Sequence, residues 1–172
     1  MAPFKVIAAD PPWRFGDSLP GKTRGAARQY PCMDWRDIAR FPLPPLADDC
    51  ALFMWRVSSM QREALAVIDA WGFEFKTEIV WQKLTLRGKA HFGMGRITRA
   101  THETCFVAVR GRPKVRSRSV RDSFSAAIGK HSEKPESFYT DIVQRLYDGP
   151  SVELFARRKR AGWTCLGNEV AK

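Results

Sequence analysis

The order of apolar runs predicts an α/β fold, a mostly parallel sheet with helices on both faces. Three observations carry this. Residues 4–10, 50–57 ("CALFMWRV"), 76–83 ("KTEIVWQK"), 103–110 ("ETCFVAVR") and 151–157 ("SVELFAR") read as strands, several of them near-continuous apolar runs as expected for burial on both faces. Stretches with helical apolar spacing alternate with them. The chain has 172 residues, 44% of them hydrophobic, enough for one domain with one sizeable core.

Taken in order, the first strand is Phe4-Lys5-Val6-Ile7-Ala8-Ala9, and "DPPW" follows it directly. Two prolines fix φ and remove backbone donors, so the strand ends there. Asp10 then stands at the carboxyl end of the strand, where open α/β sheets place their ligands. A short helix is expected from Trp35 to Arg40, before "FPLPPL", which cannot be helical. Residues 60–71 place Ala64, Leu65, Ile68 and Trp71 on one helical face. Residues 134–147 do the same with Phe138, Ile142 and Leu146, flanked by Tyr139 and Val143, and Pro135 suits the first turn. Two long basic stretches with glycines, 19–31 and 84–101, resist assignment. Both follow predicted strands, so both are expected to rim the end of the sheet that holds Asp10. No repeat or linker divides the chain, and a single domain over 1–172 is expected, without a separate target-recognition domain.

Composition excludes several classes. No apolar run reaches the ~18 residues of a membrane span, and "MAPFKVIAAD" lacks a signal-peptide layout. The cysteines at 32, 50, 105 and 165 form no CxxC pair, against both a zinc site and a disulfide framework. A reducing, cytoplasmic setting and no metal are expected. The net charge is +11. Ten basic residues lie between Arg87 and Arg121, with Glu103 the only acid among them, and a second cluster runs Arg157-Arg158-Lys159-Arg160. That density points to a polyanion, nucleic acid above all.

Asp10 and its prolines have a specific use. The exocyclic amine of adenine is a weak nucleophile, because its lone pair is delocalised into the ring. A carboxylate and a fixed carbonyl, each accepting one N–H, would draw it toward tetrahedral geometry and localise that pair. Asp10 supplies the carboxylate and Pro11 the carbonyl, stiffened by Pro12. Trp13 is expected to offer a face for base stacking, a contact of ~1–3 kcal/mol. Such acceptors help only if preorganised for the transition state.

The sequence here resembles the MT-A70 family, whose signature is DPPW. "YPCM" (30–33), "ALFMWRV", "WGFEFKTEIVWQK", "THETCFVAVRG", "HSEKPE" and "ELFARR…GWTCLGNE" are similar to the family's further blocks, in family order, from about residue 4 to 170. The resemblance implies a Rossmann-like fold that moves a methyl group from S-adenosylmethionine to the adenine amino nitrogen. It implies catalytic roles for Asp10, Pro11, Pro12 and Trp13. It implies cofactor contacts from Asp10, Ser132, Lys134, Arg157, Asn168 and Glu169, with Lys134 on the cofactor carboxylate and Asp10 on its ammonium. Tyr30 and Glu103 match substrate-side positions. On such a sheet the 84–101 loop should overhang Asp10, with Arg96 and Arg99 tracking phosphates. Read without the resemblance, Lys134 is an exposed first-turn residue and Asn168 a turn former.

The chain also departs from the family. The family's larger members carry a strand and an acidic turn about twenty residues before DPPW, and here only nine residues precede Asp10, so that cofactor-adenine contact is expected to be missing or replaced. Lys159-Arg160 stands where His-Asn is common, in a short loop. DNA is favoured over RNA as the substrate, with loose sequence choice. The alternatives are an RNA adenosine methyltransferase, a catalytically silent nucleic-acid-binding subunit, and methylation of a protein amide. Silent members of the family typically lose DPPW, and amide methylation uses Asn in place of Asp10.

Overall fold

The computed structural model describes residues 2–15, 32–95, 97–129, 133–167 and 170. Among them, seven strands form one sheet: β1 (Phe4–Ala9), β2 (Leu46–Arg56), β3 (Glu74–Leu84), β4 (His102–Arg110), β5 (Ser123–Ala127), β6 (Ser151–Leu154) and β7 (Thr164–Leu166), in the order β5-β3-β4-β2-β1-β6-β7. The ladders β1–β2, β1–β6, β3–β5 and β6–β7 are parallel, whereas β4 runs antiparallel to both β2 and β3. The sheet is therefore mixed. A parallel neighbour needs a crossover, usually a helix, and the chain between β3 and β4 folds back without one.

Both faces are covered, as the apolar runs require. Ile7 and Ala9, Leu52 and Met54, Phe106 and Ala108, and Val152 and Leu154 face one cluster. It holds Ile38 from α1 (Trp35–Ala39) and Ala64, Val67 and Ile68 from α2 (Gln61–Ala70). The alternate residues Val6 and Ala8, Phe53 and Trp55, Ile79 and Trp81, and Cys105 and Val107 face a second cluster. That one is closed by Phe138, Tyr139, Ile142 and Val143. The fold is Rossmann-like. α1, between β1 and β2, covers one face, and the segment leading into β6 covers the other.

Three expectations change. The segment 134–147 is not one α-helix: Phe138–Val143 has wide π-type turns before a short α3 (Gln144–Leu146). The adjacent pairs Phe138–Tyr139 and Ile142–Val143 are all buried, and such widened turns are common at functional sites. The last long strand stops at Leu154, not at 157, because Phe155 takes a left-handed φ of 59°. Its ring packs on Phe41, 4.6 Å away between centroids. β5 and β7 are additions to the strands expected. Among the described residues no helix is long and apolar enough to cross a membrane.

Candidate active site

The carboxyl ends of β1, β2, β3 and β6 and the start of β4 lie at one end of the sheet. A cavity of about 280 Å³ opens there, lined by Asp10, Pro11, Pro12, Trp13, Phe15, Trp55, Lys83, His102, Glu103, Lys134 and Arg157, among others. It sits where β1 is flanked by a neighbour on each side, the switch point at which open α/β sheets bind ligands.

Strand alternation explains which side chains meet. Trp81 pairs with Glu103 and Trp55 with Cys105 across β4, so all four share a face of the sheet with Lys83, two residues beyond Trp81. Asp10 continues the Val6–Ala8 side of β1 toward the same face. Lys134 arrives from above, just before the π-type turns. Its ammonium lies 2.8 Å from Asp10 Oδ2 and 3.2 Å from Glu103 Oε2. Lys83 forms a close ion pair with the other oxygen of Glu103. Four charges of alternating sign, Asp10, Lys134, Glu103 and Lys83, thus run along the cavity wall. Lys134 also stands 5.2 Å above the Trp55 ring.

Burial and pairing oppose each other here. Burial alone would push Glu103 up, but Lys134 and Lys83 outweigh it and hold its carboxyl below the usual range. Burial would push Lys134 down, but Asp10 and Glu103 win and raise it. Both stay charged at neutral pH. Glu103 is therefore an acceptor-only carboxylate facing the cavity. The thiol of Cys105 behind them is pushed well above its usual range by burial, and is inert packing.

The DPPW loop is pinned by its own backbone. The Pro11 carbonyl accepts the Trp13 N–H at 2.8 Å, the Pro12 carbonyl accepts the Met33 N–H at 2.7 Å, and Arg14 N–H returns to the Met33 carbonyl at 2.9 Å. The Pro11 carbonyl keeps one lone pair for a further donor. The expected stacking face of Trp13 is corrected by its burial. Its indole is only 4% exposed, packed in the α1–α2 core, with Nε1 donating to the Trp55 carbonyl at 2.9 Å. An indole N–H inside a core needs an acceptor, and that bond draws the ring inward. Half-buried Phe15 is the aromatic with open surface on the cavity wall.

The structure thus brings together Asp10, Pro11, Pro12, Trp13, Glu103, Lys134 and Arg157 from the sequence-based set. Lys134 is 7% exposed, so the plain reading of it as a solvated first-turn lysine is replaced. Arg99 lies outside the cavity, its guanidinium 5.3 Å from the Phe92 ring centroid. Tyr30, Arg96, Ser132, Asn168 and Glu169 lie outside the described residues. Sequence reasoning did not single out Trp55, Lys83, His102 and Phe15. "WQK" and "THE" were the available signals, but their meeting depends on the β3–β4 register. Arg160, noted as a departure from the family, is turned inward. It bonds Glu153 at 3.2 Å, pairs closely with Glu136, and covers the Tyr139 ring. Tyr139 in turn donates to Glu153 at 2.7 Å. This cluster ties the loop after β6 to the segment that carries Lys134. Among the described residues no group of acids, histidines and cysteines could hold a metal ion.

The cavity suits a zwitterionic amino-acid group, because it presents a carboxylate and an ammonium side by side. Two buried donors from its wall, Trp55 Nε1 and Arg56 Nε, find no acceptor among the described residues. Comparison with known proteins identifies the family. The profile of the MT-A70 family matches residues 4–169. The type II methyltransferase M.MunI of Mycoplasma sp is 30% identical over 187 residues, 97% of this chain and 78% of that protein. The human N(6)-adenosine-methyltransferase catalytic subunit METTL3 is 30% identical over 183 residues, 99% of this chain and 29% of that protein. The mouse N(6)-adenine-specific methyltransferase METTL4 is 30% identical over 188 residues, 98% of this chain and 38% of that protein. This chain therefore spans well under half the length of the last two. With DPPW closing its first strand at a charged cavity and the match running almost end to end, this chain belongs to the MT-A70 family.

Proposed function

We propose that this chain methylates the exocyclic N6 of adenine in nucleic acid, with S-adenosylmethionine as the donor, DNA favoured over RNA and only loose sequence choice. The observation that carries the reading is the Asp10–Lys134–Glu103 arrangement at the end of β1, in a chain of this family. Asp10 and Lys134 would hold the ammonium and carboxylate of the cofactor's methionine part, with Arg157 nearby on the wall. When bound, the cofactor supplies an electrophilic methyl group on a sulfonium. Asp10 and the free lone pair of the Pro11 carbonyl would each accept a hydrogen bond from one amine N–H and localise the nitrogen lone pair, and one of the two protons would leave to solvent once the methyl group is on nitrogen. Glu103, kept ionised by its two lysines, accepts a hydrogen bond from the incoming base. Phe15 offers the aromatic surface. Tyr30 is proposed on the substrate side, and Ser132, Asn168 and Glu169 on the cofactor side.

The whole chain is proposed to be one catalytic domain, acting in the cytoplasm. The favouring of DNA rests on Arg- and Ala-rich usage of a bacterial or phage kind, and on coverage of 78% of the Mycoplasma relative. Retention of Asp10 speaks against both a silent subunit and an amide methylase. The test is incubation with labelled cofactor and single-stranded DNA, duplex DNA or RNA, followed by mass spectrometry of the nucleosides. N6-methylated adenine in at least one substrate, lost in Asp10→Ala, is expected. No methylated adenine in any of the three would overturn the reading.

A further inference from the structure

The connection between β3 and β4 holds four of the seven exposed large apolar side chains of the described residues: Leu86, Phe92, Met94 and Ile97. Ile97 is 98% exposed and Phe92 74%. Apolar side chains so concentrated on one loop mark a contact surface.

The loop is built, not slack. Gly93 N–H donates to the Ala100 carbonyl at 2.9 Å, and His91 N–H to the Lys83 carbonyl at 2.9 Å. Lys83 N–H donates to the Thr101 carbonyl, also at 2.9 Å. A Cβ at Gly93 would stand 2.5 Å from the Ala100 carbonyl, and Gly95 has no room for one against the Thr98 carbonyl. The glycines therefore let two backbone stretches close into a narrow finger. Met94 and Ile97 lie beyond the bond between Gly93 and Ala100, and Phe92 lies just before it. The finger's root, Ala100 and His102, lines the cavity that holds Asp10.

Charge identifies the occupant. No acid occurs from Ile79 to His102, whereas Lys83, Arg87, Lys89, Arg96 and Arg99 all fall in that span. Arg99 lies over the Phe92 ring. A second copy of this chain, with the same cations and a net charge of +11, would repel the finger. A polyanion with an apolar interior would not. A nucleic-acid duplex has both properties: phosphates outside, stacked bases inside. Adenine N6 in a duplex is beyond the reach of a cavity at a sheet end unless the base leaves the stack, and apolar wedges between base steps are a known means of unstacking.

We propose that the finger formed by residues 92–95 and 97–99 is a base-stack wedge. Phe92 and Ile97 enter the duplex beside the target adenine, while Lys89 and Arg99 hold the flanking phosphates. This rests on the adenine-methylating reading of the cavity and adds that duplex DNA is a substrate.

The test compares one oligonucleotide sequence as single strand and as duplex, with wild type and with the Phe92→Ala/Ile97→Ala double variant. Both residues are exposed, and equal melting temperatures should confirm an intact fold. The duplex rate is expected to fall by roughly tenfold or more, the unstacking cost being a few kcal/mol. The single-strand rate should change by less than about threefold, since no stack has to be opened. A mismatch opposite the target should restore most of the duplex rate to the variant, and Phe92→Trp should keep it. An unchanged duplex rate, an equal loss on both substrates, or a wild type active on single strands only would each overturn the wedge. A wild-type dimer that the variant loses in sedimentation would also overturn it, in favour of a contact between copies. No product from wild type on either substrate would overturn the underlying reading, and the wedge with it.

Discussion

Asp10 accepts a charge-assisted bond from Lys134 at 2.8 Å, and in the proposed mechanism it accepts a second one, from an amine during transfer. Removing its carboxylate in Asp10→Ala should lower methyl transfer by at least ~10²-fold, as losing a preorganised catalytic hydrogen bond does. The melting curve should stay cooperative, because Lys134 keeps Glu103 as a partner. Lys134→Ala should weaken cofactor binding by about 1–3 kcal/mol in calorimetry without nucleic acid, the value of a charge-assisted bond. An unchanged affinity would confine Lys134 to balancing the two carboxylates. Asp10 was legible in the sequence because proline chemistry alone ends the strand at that residue. Lys134 was legible only as a family match. Its partner lies 124 positions away, and no local pattern reports such a contact. Trp13 misled because an aromatic in the DPPW loop looks like a stacking face until its N–H is traced to the Trp55 carbonyl.

At the scale of elements, the segment that delivers Lys134 is the informative one. Phe138 follows Lys134 by four residues and is fully buried. It packs edge-on against Phe53 and Tyr139, tilted against Trp55, and stacked near Phe124. Phe138→Ala should destabilise the fold by about 3–5 kcal/mol in denaturant titration. Because the same segment sets the height of Lys134, cofactor affinity should fall as well, even where the variant remains folded. Retained affinity would show that the π-type turns pack the sheet without aiming the lysine. The apolar spacing of this segment announced a helix but not its widened turns, which depend on what lies beneath. The central strands were legible because burial on both faces gives each a continuous apolar stretch, such as residues 6–9, 51–55 and 105–109. β5, "SFSAA", and β7, "TCL", were not. They are short edge strands, partly exposed, with too little apolar content to stand out from loops. The antiparallel β4 was legible as a strand but not in direction, since direction is set by the connection before it.

Across the whole molecule, charge couples the site to conditions. Glu103 is lowered on folding, so its stabilising contribution is present above the ordinary glutamate value of about 4.3 and is lost as pH falls through the folded value. Lys134 is raised, so its contribution is present below about 10.4 and is lost as pH rises through its folded value. Glu103→Gln should therefore cost about 1–3 kcal/mol at neutral pH. The gap in melting temperature between wild type and variant should narrow on acidification below about pH 4.3. A gap that widens in acid would refute the pairing. Arg99→Ala should reduce the salt slope of nucleic-acid binding by about one counterion's worth, similarly across sequences. Cofactor affinity should not move, since Arg99 lies outside the cavity. The place of β1 has a further consequence, for the order of assembly. It precedes both of its partners in the chain, yet it is an inner strand whose neighbours are residues 46–56 and 151–154. As the chain leaves the ribosome, the edge of β1 that β6 will cover stays unpaired until residues 151–154 have been made. Such an edge invites the wrong partner, and contacts this distant in sequence form slowly. The strand that leads into Asp10 thus appears about 140 residues before the partner that encloses it, so the Asp10 cavity should take shape only when β6 closes on β1.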